Sequence, residues 1–427
     1  MLRIFHAILM FIADWGAAAP PRSYRPSLDS VALPDWLPLP AVAVGSQQVV
    51  GLFGVYAHGT NFLALTCSGA YTVDWGDGSV QDFAANAQAN HAYIYENIPA
   101  SSESAGGYRQ VIVRVTPQLL APLTSINLNI GHPDQPGGDR TRAWLDLAIS
   151  GPMISSLVVG FGPVILPFLR RFRFVGQSQI AATYGLLYRC YSLRQVSDLD
   201  WPLCTDITHF FSGCRSLTRG PMIKMPLLEI MHACYYQCSS LLAVADIDYP
   251  LLVDASYALG ECGSLKKAPK IAAPLLVNAL AMFINDGSLV ELQGFAAPRV
   301  ASAHSMFLNC YALAELSLNL PLASDLTSFA LGCYSLRSFE LVASQTVANL
   351  SQSFQGAGLC RLVLPGLRNS VSIANCQLSR ESLVSLFSSL GAANAGASIT
   401  ITGNWGASLL SAADRAIATA KGWAIID

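Results

Sequence analysis

Four aspartates offer the first chance of chemistry in this sequence. Asp198 and Asp200 recur as Asp246 and Asp248, so all four take equivalent places in whatever unit repeats between them. Two carboxylates facing one substrate are what glycoside hydrolysis requires, one giving a proton and the other acting as base or nucleophile. Stacked two layers apart at about 4.8 Å per layer, the pairs would stand about 9.6 Å from each other, near the upper end for an inverting mechanism. Met222 and Lys224 occupy the intervening layer, and no aromatic or basic cluster completes a sugar site. A solvated acidic edge accounts for the same residues without catalysis. Asp74 and Asp77 could begin a calcium site, but calcium takes about six to eight oxygens and too few accompany them. The seven histidines are scattered, with no Ser-His-Asp order and no phosphate-binding loop. Among the 11 cysteines no Cys-x-x-Cys pair has a histidine partner at zinc spacing. No catalytic, metal or cofactor site is expected.

What must position these residues is a repeat. Cys190, Cys214, Cys238 and Cys262 each open a Cys-x-Ser-Leu block at intervals of 24; Asp286 keeps the register without the thiol. Cys310, Cys333 and Gly356 continue it, the last two steps being 23, and Leu166 fits one step upstream. Pro202, Pro226, Pro250, Pro274 and Pro298 follow the marker by 12 residues and Pro321 by 11. Such a period describes a solenoid, in which each coil carries an apolar stripe that only its neighbours can bury. The inward positions read as the block leucines, then Val196/Val244/Leu292/Leu316, then Leu199/Ile223/Ile247/Ile271/Phe295, then the residues after each proline, Leu203/Leu227/Leu251/Leu275. Phe211, Tyr235, Phe283, Phe307, Phe329 and Phe354 close most coils. Nine coils at about 4.8 Å would make a rod about 40 Å long. The six marker cysteines read as a buried ladder of free thiols, because in-register side chains point the same way rather than toward one another. Cys204, Cys234 and Cys360 lie elsewhere in the coils.

The aromatic-x-x-Cys-x-x-Leu block, as in Phe307, Cys310 and Leu313, resembles the BspA-like branch of leucine-rich repeats. That resemblance implies a binding scaffold of the kind found in bacterial surface adhesins and phage particles.

Residues 45–118 have a different texture. Runs at 49–52, 62–66, 71–75 and 110–115 alternate apolar and polar residues between glycine-rich turns, which argues for an all-β sandwich. Trp75 fills its core and Asp77-Gly78 makes a two-residue turn, glycine supplying the positive φ. The Trp75-Gly-Asp-Gly-Ser79 hairpin with His91-Ala-Tyr93 resembles a PKD-type immunoglobulin-like domain. Residues 119–165 read as leading coils and cap of the solenoid, which spans 166–378. Residues 379–427 read as an αβαβ cap, with Ser379 as N-cap of a helix over 379–390 that Gly391 ends, and a second helix over 408–421. Its Asn404-Trp-Gly406 and Lys421-Gly-Trp423 blocks resemble endings attached to such repeats in phage and bacterial surface proteins.

At the start, the apolar run 4–13 has the length of a secretory signal but is interrupted by His6 and followed by Asp14 and Trp15, and it falls short of the about 20 residues a membrane span needs. Residues 1–44 are expected to be a docking arm, with Phe5, Phe11 and Trp15 as contacts, and a proline-rich connector from Pro20 to Pro40 that Trp36 anchors. Apolar residues make up 52% of the 427, charged ones 12%, and the net charge is −2, so no basic cluster serves a nucleic acid and much surface is built to be covered. The fold class expected is mainly β with short helices. The function expected is a non-enzymatic virion component of a bacteriophage tail, baseplate or fibre. It would dock on other virion proteins through 1–44, form a homo-oligomer (by analogy a trimer) and present its repeats to a host receptor or glycan. The alternatives are a bacterial cell-surface adhesin and a polysaccharide-degrading tailspike.

Overall fold

Alternation of side chains sets the first half of the molecule. The computed structural model describes residues 35–57, 61–119, 121–134, 142–160, 165–342 and 344–427. Its first strands are β1 (Gln48–Tyr56), β2 (Phe62–Cys67), β3 (Tyr71–Asp74), β4 (Val80–Phe83), β5 (Gln88–Ala92) and β6 (Tyr108–Pro117). Then come β7 (Ser125–Asn127), β8 (Trp144–Ser150), β9 (Ser156–Val158), β10 (Arg171–Phe174) and β11 (Gln195–Val196). Seven of them form one sheet in the order β11-β10-β8-β1-β6-β3-β4, and four a second in the order β5-β2-β7-β9. Phe53, Leu65, Val73, Trp75 and Val113, drawn from both sheets and the β3–β4 loop, meet in one core.

The sheet changes character at β8, whose seven residues are all buried. It pairs antiparallel with β1 and parallel with β10, which in turn pairs parallel with β11. Strands from 45–118, 119–165 and 166–378 thus share one sheet, and hairpin pairing passes into coil-on-coil pairing without a break. Asp146 on β8 is 1% exposed, and Arg171 Nε donates to its Oδ2 at 2.8 Å while Arg173 Nη2 stands 3.2 Å from the same oxygen. A buried carboxylate is tolerated at this junction because two guanidiniums hold it.

Downstream the chain is a β-solenoid of about 12 turns, more than the nine the markers count. Short strands pair in parallel at the repeat offset: Leu199 with Ile223, Ile247 with Ile271 and Ile271 with Phe295, then Glu315 with Ser338 and Ser338 with Arg361. On the other side of each coil the backbone alternates its partners. The N–H groups of Ile207, His209, Phe211 and Gly213 donate to Ile230, His232, Cys234 and Tyr236 of the next coil, while those of Phe210, Ser212 and Cys214 donate three residues back. The alternation needs left-handed residues, and His209 (φ 56°), Ala233 (φ 50°), Tyr257 (φ 56°) and Ala281 (φ 52°) adopt that conformation at one corner. Each costs roughly 1–2 kcal/mol; the hydrogen bond that each N–H makes to the next coil offsets part of it.

The aromatic residues and block leucines face inward, all buried. The residues after the prolines do not. Leu203 and Leu227 are 42% and 40% exposed, and it is Cys204, Leu228, Leu252 and Leu276 that are fully buried. The reason is a turn: Cys204 N donates to Trp201 O and Leu228 N to Met225 O, so proline and leucine become the two central residues of a β-turn at the coil's outer corner. Val196, Val244 and Leu292, expected inside, are only partly buried.

The tail continues the stack rather than merely closing it. Val371 pairs with Ile399, and Ile399 with Ile425, all in parallel, so α1 (Arg380–Ser389) and α2 (Ala412–Thr419) are the outer segments of two longer coils. Ser379 accepts from Ser382 N at the start of α1. A capping box of Ser411 and Asp414 starts α2. The described residues are mainly β, with these two α-helices.

Candidate functional site

The hairpin motif of the first half is a hydrogen-bonded assembly. The turn closed between β3 and β4 by Trp75 N, which donates to Ser79 O, encloses three residues rather than two, and Gly76 (φ 79°) and Gly78 (φ 95°) turn the chain. A Cβ on Gly76 would come within 2.5 Å of Ile112 O, so no other residue fits there. Asp77 accepts from Ser79 N and from the Ser79 hydroxyl, and its other oxygen meets His91 Nε2 at 2.7 Å. Burial raises the Asp77 carboxyl, but the Ser79 donors and His91 outweigh it and hold it below the usual range. The His91 ring stacks on Trp75 at 4.7 Å, and the Tyr93 hydroxyl donates to Trp75 O. Asp74 accepts from Gly76 N and pairs with Arg114 at 3.2 Å. Each carboxylate here has a structural partner.

The thiols have partners too. Cys190, Cys214, Cys238, Cys262, Cys310 and Cys333 are free and buried. Cys214 Sγ donates to Leu187 O at 3.1 Å, a carbonyl that also accepts Cys190 N. Phe211, Tyr235, Phe283 and Phe307 serve Cys238, Cys262, Cys310 and Cys333 in the same way. Each of these five thiols therefore fastens its coil to the one before. Burial pushes the Cys238 and Cys333 thiols up to about 12, so they remain protonated donors and poor nucleophiles. Of the 11 cysteines only Cys360 is not buried. A chromogenic disulfide reagent is expected to titrate a single thiol in the native chain and all 11 in denaturant; rapid native reaction of several would mean that the coils open.

The paired aspartates cap backbone. Asp198 Oδ1 accepts Met222 N at 2.9 Å and Asp246 Oδ1 accepts Lys270 N at 3.1 Å, each on the next coil. Asp200 accepts from the Gln177 side chain and Asp248 is exposed. Trp36 is 9% exposed against Leu52, Tyr108 and Leu145, and its Nε1 donates to the Tyr108 hydroxyl at 2.8 Å. It therefore anchors the start of the described chain on this chain's own core. Phe5, Phe11 and Trp15 lie outside the described residues.

One side of the solenoid carries what the sequence reading missed. Asp206, Ile230, Asp254, Asn278, Ser302, Asp325 and Asn349 bridge in succession from coil to coil. Asp206, Asp254, Asp325 and Asn349 each accept through Oδ1 from the N–H and hydroxyl of the Ser or Thr two residues on. Beside the first of these runs a chain of rings. Tyr184 meets His209 at 5.4 Å, His209 meets His232 at 5.2 Å, His232 meets Tyr257 at 5.9 Å and Tyr257 meets Tyr236 at 5.8 Å, all close to edge-on, and Tyr188 joins at His209. Tyr184 is 45% exposed and the others are half-buried. The signal was a period of two coils: 184 and 232, 188 and 236, 209 and 257 each differ by 48. Past Asn349 the line ends at a cavity of about 370 Å³ lined by Asn349, Ser351, Asn369, Ser370, Ser398 and Thr400 among others.

Burial, with His232 adding, pushes His209 down to about 4. A histidine whose folded pKa is depressed contributes stability that is present above its unfolded value, about 6.5, and is lost as pH falls toward the folded one. Stability is expected to fall by about 1.4 kcal/mol per pH unit from this group between those limits. His209→Asn, which tolerates the left-handed backbone, should flatten that part of a urea-midpoint profile; an unchanged slope would assign the effect elsewhere.

Among the described residues no group of three or more His, Cys, Asp or Glu is placed to hold a metal ion, and no helix is long and apolar enough to cross a membrane. Neither protein-family models nor curated proteins show a match to this chain.

Proposed function

We propose that the chain is a non-enzymatic structural and binding component of a bacteriophage virion, in the tail, baseplate or fibre. On this reading residues 1–44 dock on other virion proteins, a PKD-type immunoglobulin-like module over 45–118 follows, and BspA-like leucine-rich repeats face the host. The assembled form is a homo-oligomer, by analogy a trimer. The observation that carries the reading is that side chains recurring along the repeat hold coil to coil. The thiols donate to the preceding coil, and Asp198 and Asp246 accept from the following one. Side chains so engaged support a rigid column that presents a face, which is what attachment needs and turnover does not.

The test is to isolate particles from producing cells and locate the chain on them with a labelled antibody. Labelling of a tail appendage is expected. Recovery of the chain in the bacterial envelope alone would favour a surface adhesin, and hydrolysis of host polysaccharide by the purified chain would favour a tailspike enzyme.

A further inference from the structure

We propose that the ring strip formed by Tyr184, Tyr188, His209, His232, Tyr236 and Tyr257 is a binding site for a neutral polysaccharide chain, an inference that rests on the attachment reading and gives it a ligand class. Three features carry it. The rings meet edge to face over four successive coils, so faces and edges alternate along a corrugated strip. A sugar ring has C–H bonds on its faces and hydroxyls around its rim, and aromatic faces carry the partial negative charge that such C–H groups meet favourably.

Hydrogen-bond acceptors flank the rings. Asp206 and Asp254 lie on the bridge line beside His209 and His232, and each has only Oδ1 engaged by its own turn. Asp254 Oδ2 accepts from Asn278 Nδ2, and Glu261 accepts from the Tyr236 hydroxyl at 2.6 Å. Carboxylates accept hydrogen bonds from the hydroxyls of a neutral chain and repel an anionic one, and Asp206, Asp254 and Glu261 outnumber Arg189, which lies over Tyr188 at 5.0 Å, so the neutral class is favoured.

Repetition is the third feature. Parallel bridges hold the coils at a regular step, about 4.8 Å apart as strands are. A strip with a two-coil period suits a ligand that is itself periodic, and the hydroxyl- and amide-lined cavity by Asn349 lies farther along the same line.

The repeat supplies substitutions that the fold already accepts. Ala233 and Ala281 stand at the coil position of Tyr257 with the same left-handed backbone, and Thr208 stands at that of Tyr184. The full chain, with Tyr257→Ala, Tyr184→Thr and, as control, Tyr334→Ala, is titrated by saturation-transfer NMR with neutral hexasaccharides of glucose, galactose, mannose and N-acetylglucosamine, and with heparin. Tyr334 stacks on Tyr311 at 5.6 Å in the Cys333 coil, several coils along the stack from Tyr257, and its equivalent one coil on is Ala357.

At least one neutral hexasaccharide is expected to bind, each strip substitution to weaken it about tenfold and the control to leave it unchanged. Binding of none, preference for heparin, or binding indifferent to both strip substitutions overturns the proposal. Virion labelling with no hexasaccharide bound would overturn this inference alone. Strip-dependent binding by a chain found only in the cell envelope would overturn the virion reading alone.

Discussion

Replacing Asp286 with cysteine is expected to stabilise the chain, and by more near neutrality than in mild acid. Asp286 occupies the marker position that cysteine fills in the coils on either side, and it is fully buried. Its Oδ1 accepts Cys262 N at 2.7 Å, a donor that in the other coils bonds within its own turn; its Oδ2 has no hydrogen-bond partner. Burial raises its pKa well above the ordinary carboxyl value, Glu261 adds to the rise, and the Cys262 N–H opposes it only in part. The folded state therefore holds a proton that the unfolded chain has released at neutral pH. Stability from this group is complete below the unfolded pKa of about 3.9 and is lost at about 1.4 kcal/mol per pH unit as pH rises toward the folded value. The unsatisfied oxygen costs about 1–3 kcal/mol besides. A thiol at 286 removes both penalties and can fasten this coil as the other thiols do. Urea unfolding of wild type and Asp286→Cys across the acid-to-neutral range reads the effect as a gap that widens with pH. Parallel curves would mean that the carboxyl is solvated.

Asp286 also marks how far the sequence could be read. A period of 24 was visible because each coil is paired to the next residue for residue, so Leu199, Ile223, Ile247 and Ile271 had to match in character. The face that Leu203 and Leu227 take was misjudged by one residue, since a leucine after proline looks like core until the turn that Trp201 and Cys204 close is known. The left-handed corner was hidden for a different reason. Ala233 and Tyr257 are not residues that announce a positive φ; the hydrogen bond to the next coil imposes it. The shared sheet was hidden as well. β8 reads as an apolar run whichever neighbours it has; β10 follows it by about one repeat, but its pairing with β1 depends on chain far away in sequence. The aspartates at 198 and 246 were visible as a repeated pair, but their partners are backbone N–H groups, which no side-chain pattern reveals.

A second large effect is expected from Phe307→Ala. The Phe307 ring is fully buried, stacks on Phe283 at 5.3 Å and meets Phe329 edge-on at 5.4 Å, so it is the middle member of three consecutive coils. Truncating a buried phenylalanine costs about 3–5 kcal/mol. In a solenoid that cost falls on nearest neighbours, because a coil touches little beyond the coils on either side. The expected result, read by hydrogen exchange with mass spectrometry, is lost protection across about residues 283–339 while β1 and β6, held by the seven-stranded sheet, keep theirs. Tyr311→Ala in the same coil removes a ring that is 47% exposed and stacked on Tyr334, and should cost about 1 kcal/mol, well below the Phe307 change. Uniform loss of protection, reaching β1, would mean that the chain unfolds as one unit. Local loss would instead uncouple the ring strip at 184–257 from the cavity by Asn349. A long ligand engaging both ends would then bind the variant more weakly although none of its contacts had been altered, because the column between them no longer fixes their spacing.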